Sequence, residues 1–315
     1  MIDKLTISLA FFKRLVLTVK QIARVVKDVG LRRASLALVR SSPSDLRRII
    51  DHLRFRARPP TAENILESCG DFVHGFEARE GDPLVLVELK TGEKFAVRRH
   101  NLANDLYLLK ETFVYRDYAG VSVCDKVVID VGSNIGDTAV FFGRQGAFVY
   151  GYEPSRELFE IAKRNVTLNN VPARLFNVGV GDRRAKIPLP RLDAELNAGD
   201  QVRGGLAEPP HVRPGARFEE INIVPFSEIV AQFESIDLVK MDCEGCEFPA
   251  LLSLDSEGFR KIDHLVLEFH GNPGSLTQKL VEEGFAVRNV AARDPRLGLI
   301  FADHVKTNGV NASER

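Results

Sequence analysis

The stretch VVIDVGSNIGDTAVFFGRQGAFVYGYEPS, residues 127–155, decides the fold. Its first five residues are apolar apart from Asp130, as in a strand buried on both faces. Gly132 and Gly136 bracket a turn, a helical pattern follows over 136–145, and a second strand-like run, 148–152, ends at Glu153. Strand, crossover helix and strand make one unit of a parallel sheet. The alternation continues with strand-like runs at 174–180, 236–241, 263–269, 285–290 and 297–303. Helical patterns lie near 155–168, 226–233, 246–253 and 274–283. The expected fold class is therefore α/β, a doubly wound, Rossmann-like and mostly parallel sheet with helices on both faces. The last two runs are joined by AARDPRLG, too short for a parallel crossover, so they are expected to form an antiparallel C-terminal hairpin.

Around this core the chain divides by composition. The whole chain of 315 residues has zero formal net charge, yet residues 1–60 hold fourteen Lys or Arg against four acids. A basic arm on an acidic body is the expected arrangement. Phe12, Leu15, Val19, Ile22 and Val26 fall on one helical stripe, so 1–60 reads as a basic amphipathic helical region. Such a stripe serves for packing on the body, self-association or peripheral membrane contact, with nucleic-acid contact as a further use. Leu5–Phe12 is interrupted by Lys13 and Arg14 and falls short of the about 18 apolar residues a membrane span needs. No signal peptide or transmembrane helix is expected, and the location expected is cytoplasmic or membrane-peripheral. Residues 61–120 read as a β-hairpin about Thr91–Gly92 and a helical lead-in, 121–306 as the main domain and 307–315 as a tail. The Gly-, Pro- and charge-rich segment 191–220 interrupts the alternation and is expected to be a lid. Cys69, Cys124, Cys243 and Cys246 make no dense disulfide framework, which points to a reducing cytoplasm; CEGC at 243–246 has metal-ligand or redox spacing, but no second such pair or His pair completes a zinc site.

In a doubly wound sheet the ligand lies beyond the carboxyl ends of the strands, where the strand order reverses. DVGSNIG, 130–136, sits at such an end. Gly132 permits a sharp turn and close approach of a ligand, and Gly136 opens the next helix. Asn134 stands where a dinucleotide site has its middle glycine, the residue that lets backbone approach a pyrophosphate. Glu153 follows Gly132 at the distance, about 20 residues, where a carboxylate accepts hydrogen bonds from ribose hydroxyls. With Asp130 it makes a negatively charged turn, suited to a ligand bearing an amino group and a sulfonium. Asp130 and Glu153 as mere strand-end polar residues is the structural alternative.

A second block, IDLVKMDCEGCEFPALL at 236–252, places Asp242, Glu244 and Glu247 around one turn. Three acids so close are costly unless paired, protonated or used. Together the two blocks resemble the FkbM family of S-adenosylmethionine-dependent methyltransferases, through the Asp-x-Gly-x-Asn-x-Gly turn at 130–136 and the Lys-x-Asp-x-Glu-Gly-x-Glu run at 240–247. The resemblance covers about 80–304, and the cysteines flanking Glu244–Gly245 depart from it.

The resemblance implies S-adenosylmethionine as cofactor. It implies that Asp130, Gly132, Asn134 and Gly136 line the methionine part, that Glu153 holds the ribose and that Asp182 contacts the adenine amine. The acceptor should then lie over the ends of the fourth and fifth strands, with Asp242, Glu244 and His270 as catalytic candidates. Lys240 pairing with Asp242 and Glu247 complementing its helix terminus are the structural readings of those charges. Asp242, Glu244 and Glu268 as ligands of a hard cation is a further alternative. The resemblance implies O-methylation of a hydroxyl on a sugar, glycolipid or other small natural product. An RNA methyltransferase using the basic arm and a catalytically silent cofactor-binding scaffold are the rival readings.

Overall fold

The computed structural model of the chain describes residues 72–115, 118, 120–191, 217–294 and 297–305. The expectations for 1–60, for the body of the 191–220 insertion and for the tail 307–315 fall outside the described residues. The chain divides into two units, Met1–Ser68 and Cys69–Arg315, and the second carries everything below.

That unit opens with a three-stranded antiparallel sheet of β1 (Val73–Glu77), β2 (Leu84–Leu89) and β3 (Lys94–Arg98). Alternation in β2 buries Val85, Val87 and Leu89, as the hairpin pattern requires. Helix α1 (Leu102–Lys110) follows and runs into a π-helical turn, Glu111–Tyr115. A buried fork joins the sheet to this helix, with Arg98 Nη2 donating to Asp105 Oδ1 at 2.5 Å and Nε to Oδ2 at 3.1 Å.

The principal elements then come in the expected sequence. They are β4 (Val127–Val131), α2 (Asp137–Gly143), β5 (Phe148–Tyr152), α3 (Arg156–Asn169) and β6 (Ala173–Phe176). A small sheet follows, of β7 (Gly179–Gly181), β8 (Ala185–Pro190) and β9 (Phe218–Pro225). Next are α4 (Phe226–Val230), β10 (Ile236–Met241), α5 (Glu247–Leu252), α6 (Ser256–Arg260) and β11 (Ile262–His270). The unit ends with α7 (Gly274–Glu282), β12 (Phe285–Asp294) and β13 (Leu297–His304).

The large sheet has the order β12-β13-β11-β10-β4-β5-β6. β13 is antiparallel to both β11 and β12, which confirms the C-terminal hairpin, while β11-β10-β4-β5-β6 is parallel throughout. Burial on both faces explains the near-continuous apolar runs. Ile129, Val131, Val239, Met241, Leu265 and Leu267 join one core cluster, together with Phe226, Ala250, Phe259 and Leu276 of the helices. The residues between them, Val128, Leu238 and Val266, join a second with Ala139 and Phe142 of α2. This is the doubly wound, Rossmann-like arrangement. β4 and β10 are neighbours although far apart in sequence, and the chain winds outward from them in both directions, so the strand order reverses between them.

Two sequence expectations are corrected. The run 174–180 is not one strand: it breaks after Phe176, where Asn177 donates from Nδ2 to the carbonyls of Glu153 and Pro154, each at 2.9 Å. β7 then leaves the large sheet and pairs in parallel with β9. The 191–220 segment is likewise not loop to its end, since β8 and β9 pair antiparallel from Ala185↔Ile223 to Pro190↔Phe218 and the insertion connects them. Pro188 and Pro190 are tolerated because β8 is an edge strand.

Candidate active site

The turns after β4 and β10 lie side by side at the switch point and build one site. After β4 the chain reverses through Gly132, at φ +79°. A Cβ there would come within 1.9 Å of the carbonyl oxygen of Asp242 and 3.1 Å of the Cα of Cys243, so only glycine admits the β10 turn. Asn134, at φ +48°, continues the reversal, and Gly136, at φ +81°, brings α2 against Ala162 of α3. Helix α3 holds this turn from behind. Leu158, Ile161, Ala162 and Asn165 recur on its buried face at helical spacing. Asn165 is the polar member: its Nδ2 donates to the carbonyls of Ile135 at 2.8 Å and Ala96 at 3.0 Å, and its Oδ1 accepts from the Ala96 amide at 2.6 Å.

Register then sets the charges. Lys240 of β10 lies directly across the parallel ladder from Asp130 of β4. Its Nζ sits 3.1 Å from Asp130 Oδ1 and donates to the Gly132 carbonyl at 2.9 Å. The expected Lys240–Asp242 pairing is therefore replaced by a cross-strand pair with Asp130, although Asp242 still acts on the lysine's charge. Burial opposes the Lys240 cation, but Asp130, Asp242 and Asp137 outweigh it and hold the ammonium above the usual lysine range. Thr138 Oγ1 donates to Asp130 Oδ2 at 2.7 Å, and Thr112 Oγ1 to Asp137 Oδ2 at 2.5 Å. Burial pushes the Asp137 carboxyl up to about 7 despite that bond.

Glu153 closes the turn from β5. Its Oε2 accepts from the Asn134 amide at 3.0 Å and its Oε1 from the Ser155 amide at 2.8 Å. Burial drives it up to about 7, against the pull of these two amides and of Lys240 and Arg98. Each oxygen keeps a lone pair. A further buried acceptor in the turn, Asn134 Oδ1, has no hydrogen-bond donor, while Asp130 Oδ1 is met by the Lys240 ammonium at 3.1 Å. Such acceptors at a strand-order reversal fit a ligand that brings its own N–H and O–H donors, as the amino group and ribose of S-adenosylmethionine do.

The acceptor side faces the ends of β10 and β11. Met241 pairs with Leu267, so Asp242, the first residue past β10, comes beside Glu268, which is still within β11. Tyr118 donates its hydroxyl to Asp242 Oδ2 at 2.9 Å, and its ring lies 5.5 Å from Lys240 Nζ. Glu268 is half-buried by exposure, yet protein surrounds its carboxyl closely. Desolvation, then the charge and hydrogen bond of Asp242, then Glu244 and Glu111 hold it well above the ordinary carboxylate range. Glu268 therefore favours its protonated form beside Asp242. Glu244, at φ +59°, projects from the same turn.

Glu247 has a different place from the other acids. It is fully buried, and its two oxygens accept from the amides of Cys243 and Gly245, each at 2.8 Å, so it clamps the turn that precedes its own helix. Cys243 and Cys246 are joined in a disulfide, Cα–Cα 5.5 Å, which corrects the expectation of reduced cysteines and matches the redox spacing of CEGC. Cys124 is free and exposed. Asp182 lies past the end of β7, exposed, 2.8 Å from Arg183 Nη1. His270 ends β11 opposite Leu297, and its side chain falls outside what is described. Tyr118 and Glu111 are not singled out as site residues by the sequence; both sit in the lead-in KETFVYRDYAG, which matches the family as a segment.

Comparison with known proteins agrees with this geometry. The family model described as the methyltransferase FkbM domain matches residues 130–289, which begin at Asp130 and take in both turns. The 31-O-demethyl-FK506 methyltransferase FkbM of Streptomyces tacrolimicus is 25% identical over 242 residues, 67% of this chain and 92% of that one. Methyltransferase 1 of Beauveria bassiana is 27% identical over 201 residues, 58% of this chain and 81% of that one. Among solved structures, magnesium protoporphyrin IX methyltransferase from Synechocystis with bound S-adenosylmethionine aligns at a TM-score of 0.36 and 13% identity, over 63% of this chain and 78% of that one. The family match spans half of the chain, and the chain belongs to the FkbM methyltransferase family, with S-adenosylmethionine as its cofactor.

Proposed function

We propose that the chain transfers the methyl group of S-adenosylmethionine to a hydroxyl oxygen of a sugar, glycolipid or other small natural product. The observation that carries this reading is the Asp242–Glu268 carboxyl pair, set where β10 ends alongside β11 and backed onto the Gly132 turn. The Streptomyces relative, whose name places its methylation on an oxygen, supports the choice of acceptor atom.

The cofactor supplies an electrophilic methyl carbon when bound. Asp130, Gly132, Asn134 and Gly136 hold its amino-acid part, with the unpartnered Asn134 Oδ1 as an acceptor for the ammonium. Glu153 accepts from the ribose with the lone pairs its backbone bonds leave free.

On the other side, Asp242 accepts the proton of the acceptor hydroxyl. Tyr118 fixes its carboxylate, and Glu268 hydrogen-bonds with it. A base weakened by these two partners suffices, because an oxygen gaining a methyl group becomes strongly acidic as the bond forms. Positioning and proton removal are the protein's two contributions, the second worth about 10²–10⁴-fold. The test compares extracts with and without the protein, using S-adenosylmethionine labelled in its methyl group. A labelled methyl ether that disappears with Asp242→Asn, while the variant still binds cofactor, is the expected result. Label on nitrogen, carbon or RNA would overturn the assignment.

A further inference from the structure

The turn that carries the proposed base is closed by a bond that chemistry can open. Cys243 leaves the end of β10 and Cys246 precedes α5, and their disulfide closes a loop around Glu244 and Gly245. Both enclosed residues have left-handed backbone, φ +59° and +118°. For glycine this is free, whereas for Glu244 it is a strained conformation that persists only where the surroundings hold it. The disulfide and Glu247, through the amides of Cys243 and Gly245, help to hold it. Only the first is covalent and reversible. The sulfurs differ in access, Cys243 being half-buried and Cys246 buried at 5% exposure.

We propose that Cys243 and Cys246 form a thiol–disulfide exchange site, with a dithiol as its reactant, that sets the conformation of the turn presenting Asp242 and Glu244. The consequence for catalysis rests on the methyl-transfer reading above; the exchange itself does not. A thiolate of the dithiol attacks the accessible Cys243 Sγ, the S–S bond breaks, and Cys246 leaves as a thiolate that takes up a proton. The second thiolate of the reactant then attacks the mixed disulfide and releases Cys243, which is protonated in turn. Two electrons and two protons pass to the protein, and the reactant leaves as a disulfide. A low-molecular-weight disulfide such as oxidised glutathione reverses the sequence.

The reduced turn keeps the Glu247 clamp, so it stays folded while Glu244 gains freedom to leave its left-handed conformation. The loosened backbone abuts the cofactor turn, since the Cα of Cys243 is among the atoms that a Cβ on Gly132 would meet. Opening the bond therefore reaches both sides of the site.

The test uses the intact chain. Native protein is equilibrated with dithiothreitol or oxidised glutathione, quenched, alkylated under denaturing conditions and mapped by mass. The peptide bearing Cys243 and Cys246 should be blocked only after reduction and should re-form its bond with oxidised glutathione. Amides 243–246 should then exchange hydrogen about tenfold faster in the reduced protein, with the β4 amides unchanged. S-adenosylmethionine affinity by calorimetry should fall about threefold. Cys243→Ser should match the reduced form and ignore both reagents. A bond that native protein never opens under excess dithiol, or never re-forms, overturns the proposal, as does exchange at 243–246 that is the same in both states. Absence of cofactor binding in either state would count against the methyl-transfer reading and leave the labelling and exchange results standing.

Discussion

Lys240 Nζ donates to the carbonyl of Gly132 at 2.9 Å, so one buried ammonium ties the strand of the proposed acceptor side to the turn of the cofactor side. The same ammonium neutralises Asp130, which is fully buried. Lys240→Met keeps the bulk and removes the charge, leaving an uncompensated carboxylate. Breaking such a pair typically costs about 3–5 kcal/mol, and thermal denaturation should show a fall of roughly 6–15 °C. A variant as stable as the parent would show that the pair is not what holds Asp130.

Gly132→Ala should be at least as informative at the site itself. The added methyl meets the Asp242 carbonyl at 1.9 Å on a left-handed backbone, so the two turns must part. Cofactor affinity in calorimetry should drop at least about tenfold. Normal binding would mean that the cofactor does not depend on this contact.

The pH dependence of cofactor affinity follows from Glu153, raised to about 7 by burial. The carboxylate offers more free lone pairs to ribose hydroxyls than the acid does. Cofactor therefore favours the deprotonated form, and affinity should weaken as pH falls through 7, by up to about tenfold at pH 6. Glu153→Ala should bind at least about tenfold more weakly at pH 8 and lose this pH dependence. A flat profile in the parent would remove Glu153 from the ribose.

Asp137 tests the same logic on stability. Its folded value, about 7, lies above the unfolded 3.8, so the folded chain holds the proton more tightly. The stability this gives is present in full below about pH 4 and lost as pH rises through 7. Asp137→Asn keeps an acceptor for Thr112 and removes the titration. Its melting temperature, relative to the parent, should rise on the order of 5 °C between pH 4 and pH 8. The same difference at both pH values would contradict the assignment.

The Asp242–Glu268 pair is tested by Glu268→Gln. Methyl transfer should fall about 10²-fold with cofactor affinity unchanged. A loss in cofactor affinity instead would assign Glu268 to the floor of the cofactor site.

Much of this was legible in the sequence, for identifiable reasons. β4, β5, β10 and the C-terminal hairpin are buried or alternating runs of ordinary length, and the two turns carry glycines and acids at readable spacing. What escaped depends on long-range placement. Tyr118 meets Asp242 across 124 positions, and no local pattern marks it. The Lys240–Asp130 pair needs the register of β4 against β10, which periodicity does not supply. β9 does alternate, burying Ile221 and Ile223, but it emerges from a Gly- and Pro-rich stretch whose composition hides it. Helix α6 is announced only by Asp255, which accepts from the Gly258 amide at 2.8 Å, because five residues are too few to show a period.

The β8–β9 hairpin has a consequence for how such a chain diversifies. The ladder from Ala185↔Ile223 to Pro190↔Phe218 fixes both ends of the intervening insertion to each other, and β7 anchors β9 beside the break at Asn177. Whatever is spliced between Pro190 and Phe218 therefore enters and leaves at one fixed doorway, with the cofactor floor untouched. The hairpin is a graft point: what joins its two strands can change in length without shifting the paired residues at either end.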